Sequence, residues 1–369
     1  MTPRKSDPKV RRHLPVTLKA VAERVGLTPG TVSAVLNNSP ASRSVPEHTK
    51  NRILAAAREL NYRPNFLARA LRVRRTYTVG VLAAEIGDPY GSTVISGIER
   101  YLREQNFFYL TVTHQHDSKL LESYSQLLLE RGVEGFITID TSISQPLPLP
   151  AVAVAGHRPV EGVTNIVLDH RTAVLQALHH LVELGHREIA FMKGPASSSD
   201  TSVRWKSIVD VAQELGIEIH PELTVQLDDP AGAAARAPEY GYPFAKDLLS
   251  RRRPFTAVFA YNDNAAIAAM RVIQDSGLCV PDDVSVVGFD DIQAAAYTNP
   301  TLTTVRQPLA KMGEIAARAL LDRIEERGEY VPEIAIEPQF IIRESTALAP
   351  DKNPQPVQSE AQPARLPAK

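Results

Sequence analysis

The chain is poor in sulfur and in aromatic rings: 369 residues hold one Cys, one Trp and 6% aromatics. A lone thiol, Cys279, closes no intrachain disulfide, which excludes a stapled secreted scaffold and fits a reducing compartment. No run approaches the roughly 18 apolar residues of a membrane span. The first fifteen residues are basic and polar, with no apolar stretch of secretory length. The expectation is a cytoplasmic protein without a membrane partner. A phosphate-cradling P-loop and a paired-glycine dinucleotide fingerprint are missing, and Ser197-Ser198-Ser199-Asp200 lacks the pattern of a nucleophile elbow. No catalytic residue, cofactor or metal is expected. His114-Gln115-His116-Asp117 looks metal-like, but no second ligand cluster accompanies it, and it reads as a solvated loop. His179, His180 and His186 belong to a helix and its end.

The near-absent net charge, −1, conceals an asymmetry. Residues 1–76 carry 16 Lys and Arg against 4 Asp and Glu, whereas the remainder carries 25 against 38. A basic block on an acidic body is the footprint of a nucleic-acid-binding head, because cations gain affinity by displacing phosphate counterions. Charge alone equally describes a solvated basic tail, so pattern must decide.

Residues 1–15 carry three prolines and no periodicity, which predicts a flexible basic arm. From Val16 the apolar residues Val16, Leu18, Val21, Ala22 and Val25 line one helix face. Gly26 ends that helix, and Thr28 with Pro29 starts another. The second helix, about 28–36, turns Val32, Val35 and Leu36 inward. A third, about 46–60, carries Ile53, Leu54, Ala57 and Leu60 at helical spacing. Residues 65–72 form a short candidate helix that folds only in context. Beyond it, β-branched runs alternate with helical patterns: strands near 79–82, 107–112, 135–139, 152–154, 189–192, 257–260 and 284–289, helices near 91–105, 119–131, 172–184, 202–215 and 264–276. This is the rhythm of a parallel sheet covered on both faces. It appears twice, split near Ile166–Asp169, and predicts two α/β subdomains with a cleft between them. Residues 223–243 read as a long surface loop rich in Ala, Pro and Gly, densest at 228–240. The Pro-rich tail, 347–369, reads as disordered.

Three stretches of the first block carry a family resemblance. They are Val16-Thr17-Leu18-Lys19-Ala20-Val21-Ala22-Glu23-Arg24-Val25-Gly26-Leu27-Thr28, Thr31-Val32-Ser33-Ala34-Val35-Leu36-Asn37 and Leu60-Asn61-Tyr62-Arg63-Pro64-Asn65. Together they resemble the headpiece of the lactose and galactose repressor family. Further on, Leu184-Gly185-His186-Arg187-Glu188, Asn262-Asp263, Val286-Val287-Gly288-Phe289-Asp290-Asp291 and Leu302-Thr303-Thr304-Val305-Arg306-Gln307-Pro308 resemble its regulatory domain. The resemblance implies an N-terminal all-α helix-turn-helix headpiece followed by an α/β periplasmic-binding-protein-like regulatory domain of two parallel-sheet subdomains. The expected boundaries are 16–63 for the headpiece, 64–76 for a hinge helix and 77–346 for effector binding and dimerisation. The implied function is a homodimeric transcription regulator, most simply a repressor, that binds palindromic operator DNA under control of a small-molecule effector, a sugar or related metabolite.

In a helix-turn-helix the second helix enters the major groove. The expected DNA-contacting residues are therefore Thr17, Thr28, Pro29, Gly30, Thr31, Ser33, Ala34 and Asn37. By the resemblance, Asn65 caps the hinge helix, Ala68 packs on its mate and Leu71 wedges into the minor groove. Pro29, Gly30 and Ala34 depart from the larger polar residues common there, which removes bidentate base reading from those positions. Ligands of open α/β sheets bind at the carboxyl ends of strands. That rule and the resemblance nominate Tyr90, Asp169, Arg204, Asn262 and Asp290 as effector contacts, with Gly91 where the family often has a second aromatic. The competing readings are a periplasmic-type binding protein without DNA work, opposed by the basic headpiece, and an α/β enzyme, which would need a nucleophile or phosphate loop.

Overall fold

The computed structural model describes residues 16–64, 70, 71, 73–87, 89–141, 143–227, 241–251 and 253–351. The expected arm, Asn65 and Ala68 of the expected hinge, the stretch 228–240 and the tail from 352 lie outside the described residues. The chain divides into two compact units, Met1–Thr76 and Tyr77–Lys369.

In the first unit, α1 (Leu18–Val25), α2 (Pro29–Leu36) and α3 (Glu47–Glu59) share a core of Val21, Ala22, Val25, Val32, Ile53, Ala56 and Ala57. Gly26 ends α1 at φ 68°, a conformation glycine adopts without a Cβ penalty. Thr28 then caps α2, accepting from the Thr31 N–H, and Pro29 occupies the first helical position. Leu54, expected inward, is 36% exposed, while Ala56 takes its place in the core.

The second unit holds two six-stranded sheets. In the first lobe the order is β11-β5-β4-β3-β1-β2, all parallel, built from β1 (Thr78–Ala83), β2 (Phe108–Thr113), β3 (Phe136–Ile139), β4 (Ala151–Val154), β5 (Val163–Leu168) and β11 (Glu333–Ile336). The second has the order β12-β10-β9-β8-β6-β7, from β6 (Ile189–Lys193), β7 (Thr224–Gln226), β8 (Ala257–Ala260), β9 (Ser285–Asp290), β10 (Thr303–Arg306) and β12 (Gln339–Ile341), with only β12 antiparallel. Strand β1 is buried at all six positions, as a parallel strand with helices on both faces must be.

Helices α4 (Pro89–Glu104) and α10 (Leu309–Ile324) share one core with the first sheet, and α5 (Ser118–Glu130) packs its Leu128 into the core on the other face. Helices α6 (His170–Glu183) and α7 (Ser199–Glu214) cover one face of the second sheet, α8 (Tyr242–Ser250) and α9 (Asp263–Asp275) the other.

The structure corrects three expectations. The lobes are not separated by a single split near Ile166–Asp169: the chain crosses there, returns through α10, and crosses again between β11 and β12. Residues 223–227 are not loop, because Leu223, Val225 and Leu227 are buried around β7. Ala347 and Ala349, expected in the tail, are hydrogen-bonded to the second lobe, Ala347 N to Ser285 Oγ and Ala349 N to the Leu184 carbonyl.

Helices α4 and α10 approach closely through two glycines. A Cβ on Gly97 would stand 1.9 Å from the Ala310 carbonyl oxygen, and one on Gly313 2.1 Å from that of Val94. Neither neighbour is a side chain that can swing away. We predict that Gly97→Ala or Gly313→Ala lowers the unfolding free energy by about 1–3 kcal/mol, the cost of overpacking. Urea titration checks this, and an unchanged midpoint would show that the helices are free to part.

Candidate functional site

The first unit exposes Thr17, Thr28, Pro29 and Gly30, while Thr31, Ser33, Ala34 and Asn37 are half-buried. Both exposed threonines serve as caps: Thr17 Oγ1 accepts from Ala20 N at 3.3 Å, and Thr28 Oγ1 from Thr31 N at 3.2 Å. Thr28 and Thr31 also share a hydroxyl hydrogen bond of 2.9 Å. Asn37 folds back on its own helix, donating to the Ser33 carbonyl at 2.8 Å and to Ser33 Oγ at 3.2 Å. With Pro29 and Gly30 carrying little side chain, α2 presents a bare N-terminus, where the macrodipole favours an anion. Leu71 is 83% exposed.

In the second unit a cavity of about 140 Å³ opens between the two lobes. It lies at the carboxyl ends of the strands, as the rule for open sheets requires. Glu85, Tyr90 and Gly91 reach it after β1, His116 after β2 and Asp140 after β3; from the second lobe come Ser198, Asp200 and Arg204 after β6, Tyr261, Asn262 and Asn264 after β8, Asp290 from β9 and Gln307 after β10.

Arg204 is 3% exposed, and its guanidinium is clamped between the rings of Phe289 and Tyr261, 3.7 and 4.6 Å away. It donates to Asp200 Oδ2 at 3.2 Å, to the Tyr261 carbonyl, and weakly through Nε to His170 Nδ1 at 3.5 Å. Asp200 Oδ1 meets His157 Nε2 and, at 3.3 Å, His170 Nε2. Burial works against the Asp200 carboxylate, yet the two imidazoles and Arg204 hold it well below the usual carboxylate range. Burial also lowers His170, which is therefore neutral. His157, His170 and Asp200 cluster as metal ligands do. Hydrogen-bond polarity opposes that role: a guanidinium can only donate, so His170 Nδ1 accepts and Nε2 carries the proton toward Asp200. The cluster is a hydrogen-bond network around a buried anion.

Other parts of the cavity wall are under-satisfied. The Tyr90 hydroxyl is buried without a partner among the described residues. Burial, reinforced by Asp200, Asp140 and Asp290, pushes its phenol well up, so it stays protonated. Asp290, at φ 109°, accepts from Gln307 Nε2 at 2.6 Å. Burial and the Asp263 and Asp200 carboxylates drive it well above the ordinary range despite Arg204 and Gln307. Such a wall offers donors and acceptors to a polar ligand and a phenol ring to stack on one.

Four of the five expected effector residues, Tyr90, Arg204, Asn262 and Asp290, line the cavity. Asp169 does not: it caps α6, accepting from Thr172 N at 3.0 Å and Thr172 Oγ1 at 2.6 Å. Asn262 also caps a helix, through Ala265 N at 2.9 Å, while facing the cavity. The expectation that His114–Asp117 is a solvated loop fails for His114, which is 3% exposed, bonded to Thr141 Oγ1 at 2.8 Å and held down to about 4 by burial. Sequence reasoning missed Asp140, Tyr261 and Gln307 as cavity residues, and His157 and His170 as partners of Asp200. Of these, Asp140, Tyr261 and Gln307 directly follow strands and were open to the same carboxyl-end rule that found Asp290.

A small three-helix unit with a capped second helix, followed by two parallel-sheet lobes around a polar cavity, is the architecture of a ligand-responsive DNA-binding regulator. A sequence model of bacterial regulatory proteins of the lacI family matches residues 17–65, and one of a periplasmic binding protein-like domain matches residues 178–346. The chain is 32% identical over 343 residues to the HTH-type transcriptional repressor PurR of Serratia proteamaculans, covering 90% of this chain and 98% of that one. The PurR of Pasteurella multocida is 29% identical over 338 residues, with 89% and 98% covered. The lac repressor dimer bound to operator and the anti-inducer ONPF superposes with a TM-score of 0.80 at 25% identity, over 90% of this chain and 100% of that one. A transcriptional regulator CelR–cellobiose complex superposes at 0.67 and 30% identity, over 89% and 99%. The chain belongs to the lacI family of bacterial regulatory proteins. These relatives are transcription regulators, not enzymes. No described helix is long and apolar enough to cross a membrane.

Asp263, beside Asn262, is fully buried and accepts from Ile292 N at 2.8 Å and Thr304 Oγ1 at 2.6 Å. Burial raises it from 3.8 to about 7. A raised acid favours folding in its protonated form, so its contribution is full below 3.8, is lost as the pH rises, and stops changing above about 7. We predict that the unfolding free energy of the native chain has a component that falls across this window and that Asp263→Asn flattens it. Urea midpoints from about pH 4 to about pH 8 measure it, and identical profiles for the two proteins would refute the assignment.

Proposed function

We propose that the protein is a transcription repressor that binds a two-fold operator as a homodimer and responds to a small polar molecule, a sugar or related metabolite, held in the inter-lobe cavity. The observation that carries this reading is a cavity at the strand ends, with Asp290 and a Tyr90 hydroxyl that has no partner among the described residues, in a chain that also bears a lacI-family headpiece. The lac repressor neighbour is a dimer on operator DNA, and the CelR neighbour holds cellobiose. The organisation we assign is a headpiece at 16–63, a hinge at 64–76 and an effector-binding and dimerisation domain from 77, which the bonds of Ala347 and Ala349 extend beyond 346. DNA contact falls to Thr17, Thr28, Thr31, Ser33 and Asn37, with Pro29, Gly30 and Ala34 allowing close approach of the α2 N-terminus to phosphate. Leu71 is the minor-groove wedge, flanked by Asn65 and Ala68 as cap and packing residue. Effector contact falls to Tyr90, Arg204, Asn262 and Asp290. The protein acts in the cytoplasm, where its DNA is.

The cavity binds rather than catalyses. Ser198 Oγ accepts from Tyr261 and donates to Asp140, and His157 and His170 both turn to Asp200, so neither imidazole is placed to activate that hydroxyl.

Selection from a random DNA library is expected to enrich a two-fold site. Deleting the headpiece abolishes that binding, and Leu71→Ala weakens it about ten- to a hundredfold, the scale of a lost apolar wedge. Enrichment without two-fold symmetry, or a Leu71→Ala protein with native affinity, counts against the hinge-wedged dimer. For the cavity, sugars and related metabolites are screened by the fluorescence of the single Trp205, which adjoins Arg204. Asp290→Asn and Tyr90→Phe are expected to lower affinity for any hit about tenfold each, the value of a hydrogen bond in a dry site, while leaving ligand-free operator affinity intact. Unaltered affinity for the hit in both variants places its site elsewhere.

A further inference from the structure

Three residues at the start of α7 reach across the cleft from the second lobe to the first. Ser198 Oγ donates to Asp140 Oδ1 at 3.1 Å, Ser199 Oγ donates to the Ala155 carbonyl, and Asp200 Oδ1 accepts from His157 in the loop after β4. The first-lobe ends of all three lie on strained backbone: φ is 44° at Asp140, 57° at Ala155 and 27° at His157. Residues persist in such conformations when the surroundings over-determine them.

Only the His157 bond ends on the residue that also holds Arg204. We infer that His157 is a positioning residue for the effector response: through Asp200 it fixes Arg204 in the cavity wall and ties that placement to closure of the two lobes. Neither His157 nor His170 lines the cavity, whereas Asp200 and Arg204 do. The line of coupling therefore runs from the first lobe through one carboxylate to the ligand site. Its energetics follow from burial. In the closed form Asp200 is 5% exposed, and without His157 its Oδ1 would keep only His170 at 3.3 Å. A buried carboxylate short of a donor is costly, whereas an opened cleft lets water supply it. Removing His157 thus penalises the closed form alone, which is the differential term a population shift requires. A ligand that accepts from Arg204 draws on the guanidinium that Asp200 shares, so occupancy and closure bias the same equilibrium.

The inference rests on the effector reading above, but its test needs no effector. Cysteines replacing Glu130 on α5 and Gln213 on α7, in a Cys279→Ser background of the full chain, carry a dye pair that reports lobe separation by single-molecule energy transfer. His157→Ala is expected to lower the closed-to-open ratio roughly tenfold to a hundredfold, as for loss of a hydrogen bond to a charged group. His157→Gln, which retains a donor, restores most of it. An unaltered ratio in His157→Ala, or equal opening in His157→Gln and His157→Ala, overturns the proposal and leaves the effector reading standing. A cavity that binds no effector, with the ratio still shifting in His157→Ala, would instead fault only the effector reading.

Discussion

A carboxylate taken out of water must be surrounded by donors, and the inter-lobe region is organised by how Asp200 meets that requirement. One oxygen takes two imidazoles and the other takes a guanidinium. These donors come from three places: the loop after β4, the start of α6 and the next turn of α7. Satisfying one buried anion therefore brings together a first-lobe loop, the residue just past the crossover from β5, and the helix carrying the cavity's arginine. Arg204 gains its fixed orientation from the same arrangement, since Phe289 and Tyr261 close on its two faces while Asp200 and the Tyr261 carbonyl take its protons. Ion pairs of this kind add little net stability compared with well-packed apolar groups, but they are expensive to break. They specify geometry, and geometry is what a ligand wall needs.

Asp290 is the counterpart. It is buried like Asp200, yet among the described residues its carboxylate accepts only from a neutral amide, and its affinity for a proton rises where that of Asp200 falls. Two carboxylates in one cavity are thus pushed in opposite directions: burial and neighbouring carboxylates prevail at Asp290, whereas the donors prevail over burial at Asp200. The satisfied one is architecture. The under-satisfied one, in the same cavity as a Tyr90 hydroxyl without a partner among the described residues, is where a bound molecule has most to contribute. A ligand supplying donors to Asp290 relieves a cost already present in the empty protein, which is how a cavity of about 140 Å³ can select a small polar molecule.

The sequence made the headpiece legible because local chemistry sets its boundaries. Gly26, Thr28 and Pro29 stop one helix and start the next in the structure as their backbone preferences require. The strand–helix alternation was legible for the same reason, whereas α10 was missed although its buried residues at 309, 312, 313, 316, 317, 320 and 321 recur at helical spacing. The short strands β7, β11 and β12 have three or four residues each, too few for a period to stand out. The two later lobe crossings were not readable, because they depend on which sheet edge a later segment joins. At the cavity, position after a strand is necessary but not sufficient. Asp169 occupies such a position and spends its carboxylate on a helix cap, a task for which Asp is equally suited. His157, His170 and Asp200 lie 13 and 30 residues apart, and no spacing rule links residues that meet only when two sheets close on each other.

The bare N-terminus of α2 has a further consequence for a family whose members discriminate among operators. A helix that starts Thr-Pro-Gly, with both capping threonines engaged and Asn37 turned back on Ser33, has few side-chain donors left for base edges. It retains the dipole and the exposed backbone of its first turn, which recognise phosphate irrespective of sequence. On the wedge role proposed for Leu71, discrimination moves to what phosphate contacts can register, the shape and deformability of the duplex, and to the step this exposed side chain would unstack. Unstacking is cheapest at flexible pyrimidine–purine steps, so a wedge at a dyad reads sequence through deformation energy even where no base edge is touched. The surplus of 12 positive charges in residues 1–76, from 16 basic against 4 acidic, makes that binding steeply dependent on salt. On the proposed DNA contacts, selectivity therefore resides more in how the duplex bends than in hydrogen bonds from α2.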